Sequence, residues 1–174
     1  MKSSVLFWFR KGLRLHDNPA LVAALEGAAA LYPVFCIEPG RVGVNRARFL
    51  LESLEDLDLS LRTLDSRLVV LRGDPRLELE RMIREHSIDR LAYEVDTEPR
   101  AMSRDAEVCR MASGAGVEVM TRPGHTLCDL EPLVARFKGE SCTSYQAFLG
   151  HFKAEIKARP IRPLAAPTRL PPMG

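Results

Sequence analysis

The chain has 174 residues, 46% of them hydrophobic, which is typical of one folded domain with a sizeable core. Its net charge is +2 and its charged residues are interspersed, so charge alone indicates no nucleic-acid-binding surface. The first apolar run is too short to span a membrane, and the four cysteines lack zinc-ligand spacing. We therefore expect a cytoplasmic or nuclear protein with reduced thiols and no membrane association.

Apolar runs alternate with helical patterns along the chain. Residues 5–9 (VLFWF) are continuously apolar, as in a strand that is covered on both faces. Asn18 followed by Pro19 predicts the N-cap and first residue of a helix. Pro33 disfavours a long central strand in the second apolar run. The predicted strands are residues 5–9, 31–37, 67–71, 91–95 and 117–121, and the predicted helices between them are residues 19–26, 46–64, 75–86 and 100–113.

This strict alternation predicts an α/β fold. We expect a Rossmann-like, doubly wound, five-stranded parallel sheet of order 3-2-1-4-5 with helices on both faces. Apolar residues at helical spacing should turn toward that sheet. In the second helix these are Leu50, Leu54, Leu57, Leu61 and Leu64, and in the third they are Leu77, Met82 and Ile83.

The C-terminal part of the sequence has a different character. Residues 143–146 (TSYQ) predict a capping box at the start of a helix. Five of the twelve prolines follow from Arg159 onward. We therefore predict a domain over residues 1–158 and a proline-rich linker or tail over residues 159–174. The apolar stripe of the last helix consists of Tyr145, Phe148, Leu149, Phe152 and Ile156.

The sheet order places a ligand crevice at the carboxyl ends of the first and fourth strands. The loop after the first strand contains a single glycine, Gly12, and no phosphate-binding motif, which disfavours a nucleotide-handling enzyme. Trp8 and Phe9 either stack on a planar ligand or are ordinary core residues. The carboxylates near the end of the fourth strand either bind a divalent metal or face a helix N-terminus. These carboxylates are Glu94, Asp96 and Glu98.

Other polar residues favour structural roles. His16 and Asp17 are adjacent, but no nucleophile motif accompanies them, so we predict no catalytic residue. Cys36 at a strand end is expected to be a buried, inert thiol. The basic cluster at this edge is expected to form salt bridges or an inter-domain contact rather than to bind nucleic acid. This cluster consists of Arg10, Lys11 and Arg14.

Several motifs then resemble a known family. Residues 8–21 (WFRKGLRLHDNPAL) are similar to the opening signature of photolyases and cryptochromes, and residues 43–75, 93–99 and 124–130 follow in register. The resemblance covers about residues 4 to 155 and is strongest to animal-type cryptochromes and (6-4) photolyases. It implies the N-terminal α/β domain, which in many members holds an antenna chromophore. It also implies a separate helical domain that binds FAD and damaged DNA.

The resemblance implies a deazaflavin, FMN or methenyl-folate as the antenna chromophore. Departures from the family pattern are Glu38 in place of an aspartate, a shortened loop over residues 38–45, Ala47 in place of a tryptophan and Cys128 in place of a tyrosine. Carried over position by position, the chromophore contacts are Phe9, Arg10, Phe35, Ile37, Glu38, Arg46, Asp96 and Glu98.

For this chain alone we expect no bound FAD, no metal, no photolyase activity and no direct DNA binding. The implied partner is the FAD-binding helical domain or another protein, and self-association is a further expectation. The alternative function is a stand-alone module that binds a small molecule or a protein through an exposed apolar surface.

Overall fold

The computed structural model describes residues 3–40, 43–139 and 142–174. Its strands pair in parallel in one sheet of order β3-β2-β1-β4-β5, which confirms the predicted fold class and strand order. The strands are β1 (Ser3–Phe9), β2 (Ala28–Ile37), β3 (Val69–Arg72), β4 (Arg90–Glu94) and β5 (Glu118–Arg122). The helices are α1 (Pro19–Leu25), α2 (Val44–Arg62), α3 (Pro75–Glu85), α4 (Pro99–Gly114), α5 (Leu130–Ala135) and α6 (Tyr145–Ala158).

The sheet separates two layers of core side chains, because successive residues of a strand point to opposite faces. Leu6 and Trp8 of β1 pack in one layer with buried side chains of α3 and α4. Phe7 and Phe9 pack in the other layer with buried side chains of α1 and α2. Helices therefore cover both faces, as predicted.

The polar helix caps follow from the sequence. The Asn18 side chain accepts a hydrogen bond from the Leu21 N–H at 2.9 Å, and Pro19 is the first residue of α1, as predicted.

The prediction that Leu77 of α3 faces the sheet is wrong, because Leu77 is 52% exposed and Leu79 is fully buried in its place. Leu79 shares one helix face with the buried Met82 and Ile83, whereas Leu77 lies two residues away on the opposite side.

Strand β2 is longer than predicted, because it begins at Ala28 and continues through Pro33. Its ladder with β1 runs along most of its length, but its ladder with β3 begins only at Val34. Pro33 therefore lies where β2 has a β1 neighbour and no β3 neighbour, and the missing N–H removes no bond to β3. The amino-terminal half of β2 is therefore not paired with β3 on this side.

The last helices differ most from the sequence expectations. The N-cap of α6 is Ser144, whose side chain accepts from the Ala147 N–H at 3.2 Å, so the predicted Thr143–Gln146 capping box is wrong by one residue. Helix α5, which is capped by Asp129, was not predicted because Pro132 interrupts its short apolar pattern.

The apolar stripe of α6 is partly covered. Tyr145 is 69% exposed, and Phe148 and Phe152 are half-buried. Glu155 is the buried residue of this helix, and its carboxylate accepts from Arg136 at 2.6 Å and from Arg159 at 3.0 Å. The Glu155–Arg136 salt bridge and an edge-to-face contact between Phe137 and His151 thus join α6 to the preceding segment, and within the stripe Tyr145 alone is mostly exposed.

Residues 159–174 contain no helix or strand, and the predicted domain boundary near residue 158 stays a prediction. Arg41 and Val42, in the loop over residues 38–45, lie outside the described residues, and the predicted shortening of this loop stays a prediction. Within the described part of the chain, no helix is long and apolar enough to cross a membrane.

Candidate functional site

The crevice predicted at the carboxyl ends of β1 and β4 is filled by a buried cation. Arg10 directly follows β1, and its guanidinium donates to the Asp105 carboxylate at 2.6 Å and to the Glu94 backbone carbonyl at 3.0 Å. The Asp96 carboxylate lies 3.5 Å from the same guanidinium. All three side chains of this cluster are largely buried, so their charges compensate one another in the protein interior.

Lys11 extends this ion-pair network to the surface. Its ammonium lies 3.1 Å from Asp96 and 2.8 Å from Glu98, and its pKa is raised mainly by the bond to Glu98. Burial alone would raise the pKa of Asp96, but the Glu98 N–H and the Lys11 ammonium together lower it. Arg14 completes the predicted basic cluster and lies 3.7 Å from Asp17. The cluster therefore forms salt bridges, one of the two roles predicted for it.

The aromatic residues at the end of β1 belong to the core. Trp8 is buried, and two guanidinium groups lie over its ring. The guanidinium carbon of Arg10 is 4.8 Å from the ring centroid, and that of Arg104 is 5.0 Å away. Arg104 also pairs with Glu38. Phe9 is buried against Phe7, with an edge-to-face centroid distance of 4.7 Å. These contacts favour the core interpretation of Trp8 and Phe9 over stacking on a ligand.

Glu94, the last residue of β4, is a buried carboxyl that is only 5% exposed. Burial raises its pKa, and its Oε1 has no hydrogen-bond partner among the described residues. A side chain at Gly12 or at Gly124 would overlap its carboxylate. Sequence reasoning missed this role, although two isolated glycines after strands are a signal of close backbone approach.

The carboxylates after β4 do not assemble into a metal site. Across residues 3–40, 43–139 and 142–174, no group of three or more His, Cys, Asp or Glu side chains is placed to hold a metal ion. Asp96 faces Arg10 and Lys11, and Glu98 faces Lys11, so both carboxylates form ion pairs that neither interpretation predicted. Asp96 also accepts a hydrogen bond from the Glu98 N–H at 3.1 Å, at the start of α4. Glu98 is the N-cap residue of α4, although its side chain makes no capping bond.

The thiol of Cys36 is buried near the carboxyl end of β2. Burial, with a contribution from nearby carboxylates, raises its pKa to about 12. A thiol with this pKa is not ionised at neutral pH and is a poor nucleophile. The prediction of a buried, inert thiol is thus consistent with the structure.

The remaining predicted contacts lie around the rim of the crevice. Phe35 and Ile37 are half-buried on the same face of β2, where Phe35 packs against the layer covered by α1 and α2. Arg46 is exposed in the first turn of α2. Because α2 runs back toward the amino end of the sheet, its first turn lies at the carboxyl edge, near the end of β2.

A cavity that the sequence did not predict opens farther along this edge. It has a volume of about 340 Å³ and lies between the ends of β4 and β5 and the start of α5. Its lining includes Val95, Thr97, Thr126 and Asp129. It begins at the residues that flank Asp96, so the carboxyl edge offers space on the outer side of the buried ion-pair cluster.

The comparisons with known proteins agree on one family. The sequence model of DNA photolyase matches residues 5–169. Cryptochrome-2 of Gallus gallus is 45% identical over 160 residues, which cover 88% of this chain and 28% of that protein. The (6-4)DNA photolyase of Arabidopsis thaliana is 45% identical over 161 residues, which cover 84% of this chain and 29% of that protein.

A solved structure extends the similarity to the whole fold. A bacterial class III photolyase from Agrobacterium tumefaciens superposes with a TM-score of 0.89 at 28% identity. The match covers 99% of this chain and 36% of that one. The chain thus spans less than a third of the length of the two curated relatives above.

Proposed function

The chain belongs to the N-terminal domain family of DNA photolyases and cryptochromes, and we propose that it binds an antenna chromophore at the carboxyl edge of its sheet. The family resemblance implies a deazaflavin, FMN or methenyl-folate in this role. Such a group absorbs light and passes the excitation energy to FAD, which the resemblance assigns to a separate helical domain.

The observation that carries the proposal is the half-buried pair Phe35 and Ile37 at the end of β2. Two partly accessible apolar side chains on one face offer a surface on which a planar ring can pack. Arg46 lies on the helix that covers this face and supplies a positive charge for an anionic substituent. An apolar wall with a few polar groups is the usual composition of a small-molecule site.

The structure supports a narrower contact set than the resemblance implies. Arg10 and Asp96 face each other in the interior, and breaking such a buried pair costs about 3–5 kcal/mol. Both side chains are only 6% exposed, which limits the access of a ligand to either of them. In our proposal Phe9, Arg10 and Asp96 shape the crevice, and the chromophore contacts Phe35, Ile37, Arg46 and the exposed Glu98.

Absorption spectroscopy of the purified chain tests the proposal. Each of a deazaflavin, FMN and methenyl-folate is titrated into the wild type, Arg46→Ala and Arg48→Ala. We expect a saturable spectral shift with one chromophore that is lost in Arg46→Ala, because the charge is removed from the rim. Arg48→Ala is the matched control, since Arg48 is exposed on the same helix and paired with Glu52. No response of the wild type to any of the three would refute the proposal.

The aromatic surface of α6 favours the second candidate function, protein binding. The Phe148 and Phe152 rings are stacked with a centroid distance of 5.7 Å, and Tyr145 lies next to Phe148 at 6.4 Å. Half-buried aromatic side chains in a row are typical of a surface that another protein covers. The resemblance implies the FAD-binding helical domain as that partner, and a second copy of this chain is the alternative.

Protein binding through this surface can be tested with the chain alone as self-association. Light scattering after size exclusion is measured over a range of concentrations for the wild type and for Phe148→Glu. We expect a concentration-dependent dimer that Phe148→Glu abolishes, because a charge on the stacked row opposes its desolvation. Glu107→Gln, a change at an exposed residue of α4, should leave the dimer intact. A dimer that survives Phe148→Glu would exclude this surface.

A further inference from the structure

The carboxyl group of Glu94 is enclosed between two loops at the carboxyl edge of the sheet. One loop follows β1 and contains Gly12, and the other follows β5 and contains Gly124. A methyl group at Gly12 would overlap Oε2 of Glu94, and one at Gly124 would overlap Oε1. Each loop therefore passes close to one oxygen of the carboxyl group, and a larger residue at either glycine would displace it.

The Arg14 side chain joins these two loops. Its guanidinium donates to the Gly124 carbonyl at 3.0 Å in the loop after β5. The same group donates to the Asp17 carbonyl at 2.9 Å in the loop after β1. These bonds hold the loops together while the carboxyl group of Glu94 lies between them.

The closed arrangement suits a neutral carboxyl group better than an ionised one. Glu94 is 5% exposed, and its Oε1 accepts no hydrogen bond from the described residues. A buried carboxylate that lacks donors is strongly disfavoured, because it has lost its hydration without a replacement. A protonated carboxyl group carries no net charge, so its enclosure costs much less free energy.

The groups around Glu94 weaken this preference without reversing it, since burial is the largest effect and the pKa of Glu94 is raised. The groups that favour the ionised form are Arg14, His125, Arg10 and the Gly12 N–H. Both of these arginines donate to backbone carbonyls. Arg122, the β5 neighbour of Glu94, is exposed and bonds to a carbonyl of its own strand. Helix α1, which covers this face, contains no charged residue.

We propose that Glu94 is a proton-operated latch. The loops after β1 and β5 stay closed over its neutral carboxyl group, and loss of the proton separates them because the carboxylate takes up water. The loop after β5 supplies Pro123 and Thr126 to the cavity of about 340 Å³, so opening of the latch widens access to that cavity. The latch lies at β1, β4 and β5, whereas the proposed chromophore wall lies on β2. The two proposals are therefore independent.

Amide hydrogen exchange measures the opening of each loop. Within the loop after β1, the Leu13 N–H donates to a backbone carbonyl at 3.2 Å, and beside the loop after β5 the Val95 N–H donates to the Arg122 carbonyl at 2.9 Å. Each exchange rate is compared with that of an unstructured peptide at the same pH, which gives a protection factor. The matched control is the Gly73 N–H, which donates to the Ile37 carbonyl at 3.1 Å at the same edge of the sheet.

We expect the protection factors of Leu13 and Val95 to fall about tenfold per pH unit above pH 4.5, the ordinary pKa of a glutamate, and to level off at the pKa of the closed state. The sign follows because the closed state binds the proton more tightly than the open state. The protection factor of Gly73 should stay constant. Both loop amides should also be less protected than Phe7 in the middle of the sheet, because a latch opens without unfolding the domain. Equal protection of Val95 and Phe7 would overturn the proposal.

Two variants identify the group that loses the proton. Glu94→Gln keeps the shape of the neutral carboxyl group and cannot ionise, so both loop protection factors should become independent of pH. His125→Gln removes a nearby imidazole, a group that changes charge near neutral pH, and the pH dependence should remain. A pH dependence that persists in Glu94→Gln, or that disappears in His125→Gln, would contradict the proposal.

The wild type provides a test that does not require Glu94→Gln to fold. The NMR resonance of the Glu94 carboxyl carbon should titrate with a midpoint above pH 4.5, at the pH where the protection factors level off. A midpoint at or below pH 4.5 would refute the latch.

Discussion

Removal of the Arg10 side chain should destabilise the domain far more than removal of an exposed arginine. In Arg10→Ala, the side chains of Asp96 and Asp105, which are 6% and 14% exposed, lose their shared cation. Breaking a buried ion pair from one side costs about 3–5 kcal/mol, and the lost contact with the Trp8 ring adds about 0.5–1 kcal/mol. Because Lys11 still faces Asp96, we expect a loss of about 3–4 kcal/mol in the free energy of unfolding.

Urea denaturation followed by circular dichroism measures this loss. The matched control is Arg48→Ala, whose side chain is 79% exposed and pairs with Glu52 four residues away. Such a pair contributes about 0.3–0.5 kcal/mol. In thermal denaturation, a loss of 3–4 kcal/mol corresponds to a Tm that is lower by roughly 6–16 °C for a chain of this size. If Arg10→Ala stays within about 1 kcal/mol of the wild type, the assignment of Arg10 to an internal salt bridge is refuted.

Three further outcomes are expected. Because burial raises the pKa of Glu94, the folded protein binds its proton more tightly than the unfolded chain, so stability falls as the pH rises from about 4 through the folded pKa. When the free energy of unfolding is measured by denaturation at several pH values, Glu94→Gln should lose less stability than the wild type over this pH range. The same pH dependence in both proteins would contradict this prediction. Gly124→Ala should lower the Tm, since its methyl group overlaps the Glu94 carboxylate. Gly150→Ala should not, because a methyl group there meets no atom within 4 Å beyond its own helix backbone. With a thiol reagent, the exposed Cys142 should react rapidly and Cys36 only on unfolding, because Cys36 is buried with a pKa of about 12; equal rates would show that Cys36 is accessible.

The sheet could be predicted from the sequence because its signals are local. Continuous apolar runs, the Asn18 cap and the proline at the next position each depend on neighbouring residues and on general rules of βα connection. The length of β2 could not be predicted. Whether Pro33 is tolerated depends on where the β3 ladder starts, which is set by residues far away along the chain.

The candidate site could be located from the sequence, but the partners of its residues could not. The switch point of the sheet follows from strand order, so Arg10, Asp96 and Glu98 were placed correctly at one edge. That Asp105 of α4 would reach Arg10 depends on the packing of that helix on the sheet. Helix α6 is a second example. Its apolar stripe follows from helical spacing, but the burial of Glu155 depends on contacts with residues outside the helix.

The buried salt bridges of Arg10 at the carboxyl edge also affect the fluorescence of the protein. The chain contains a single tryptophan, Trp8, whose ring has the guanidinium groups of Arg10 and Arg104 beside it. All indole emission of the protein therefore originates at one point, next to the crevice. Its wavelength and intensity should respond to rearrangement of either arginine, and its quenching by an absorbing ligand would report their separation. The domain thus carries an intrinsic optical probe near the carboxyl edge, on the face of the sheet opposite Phe35.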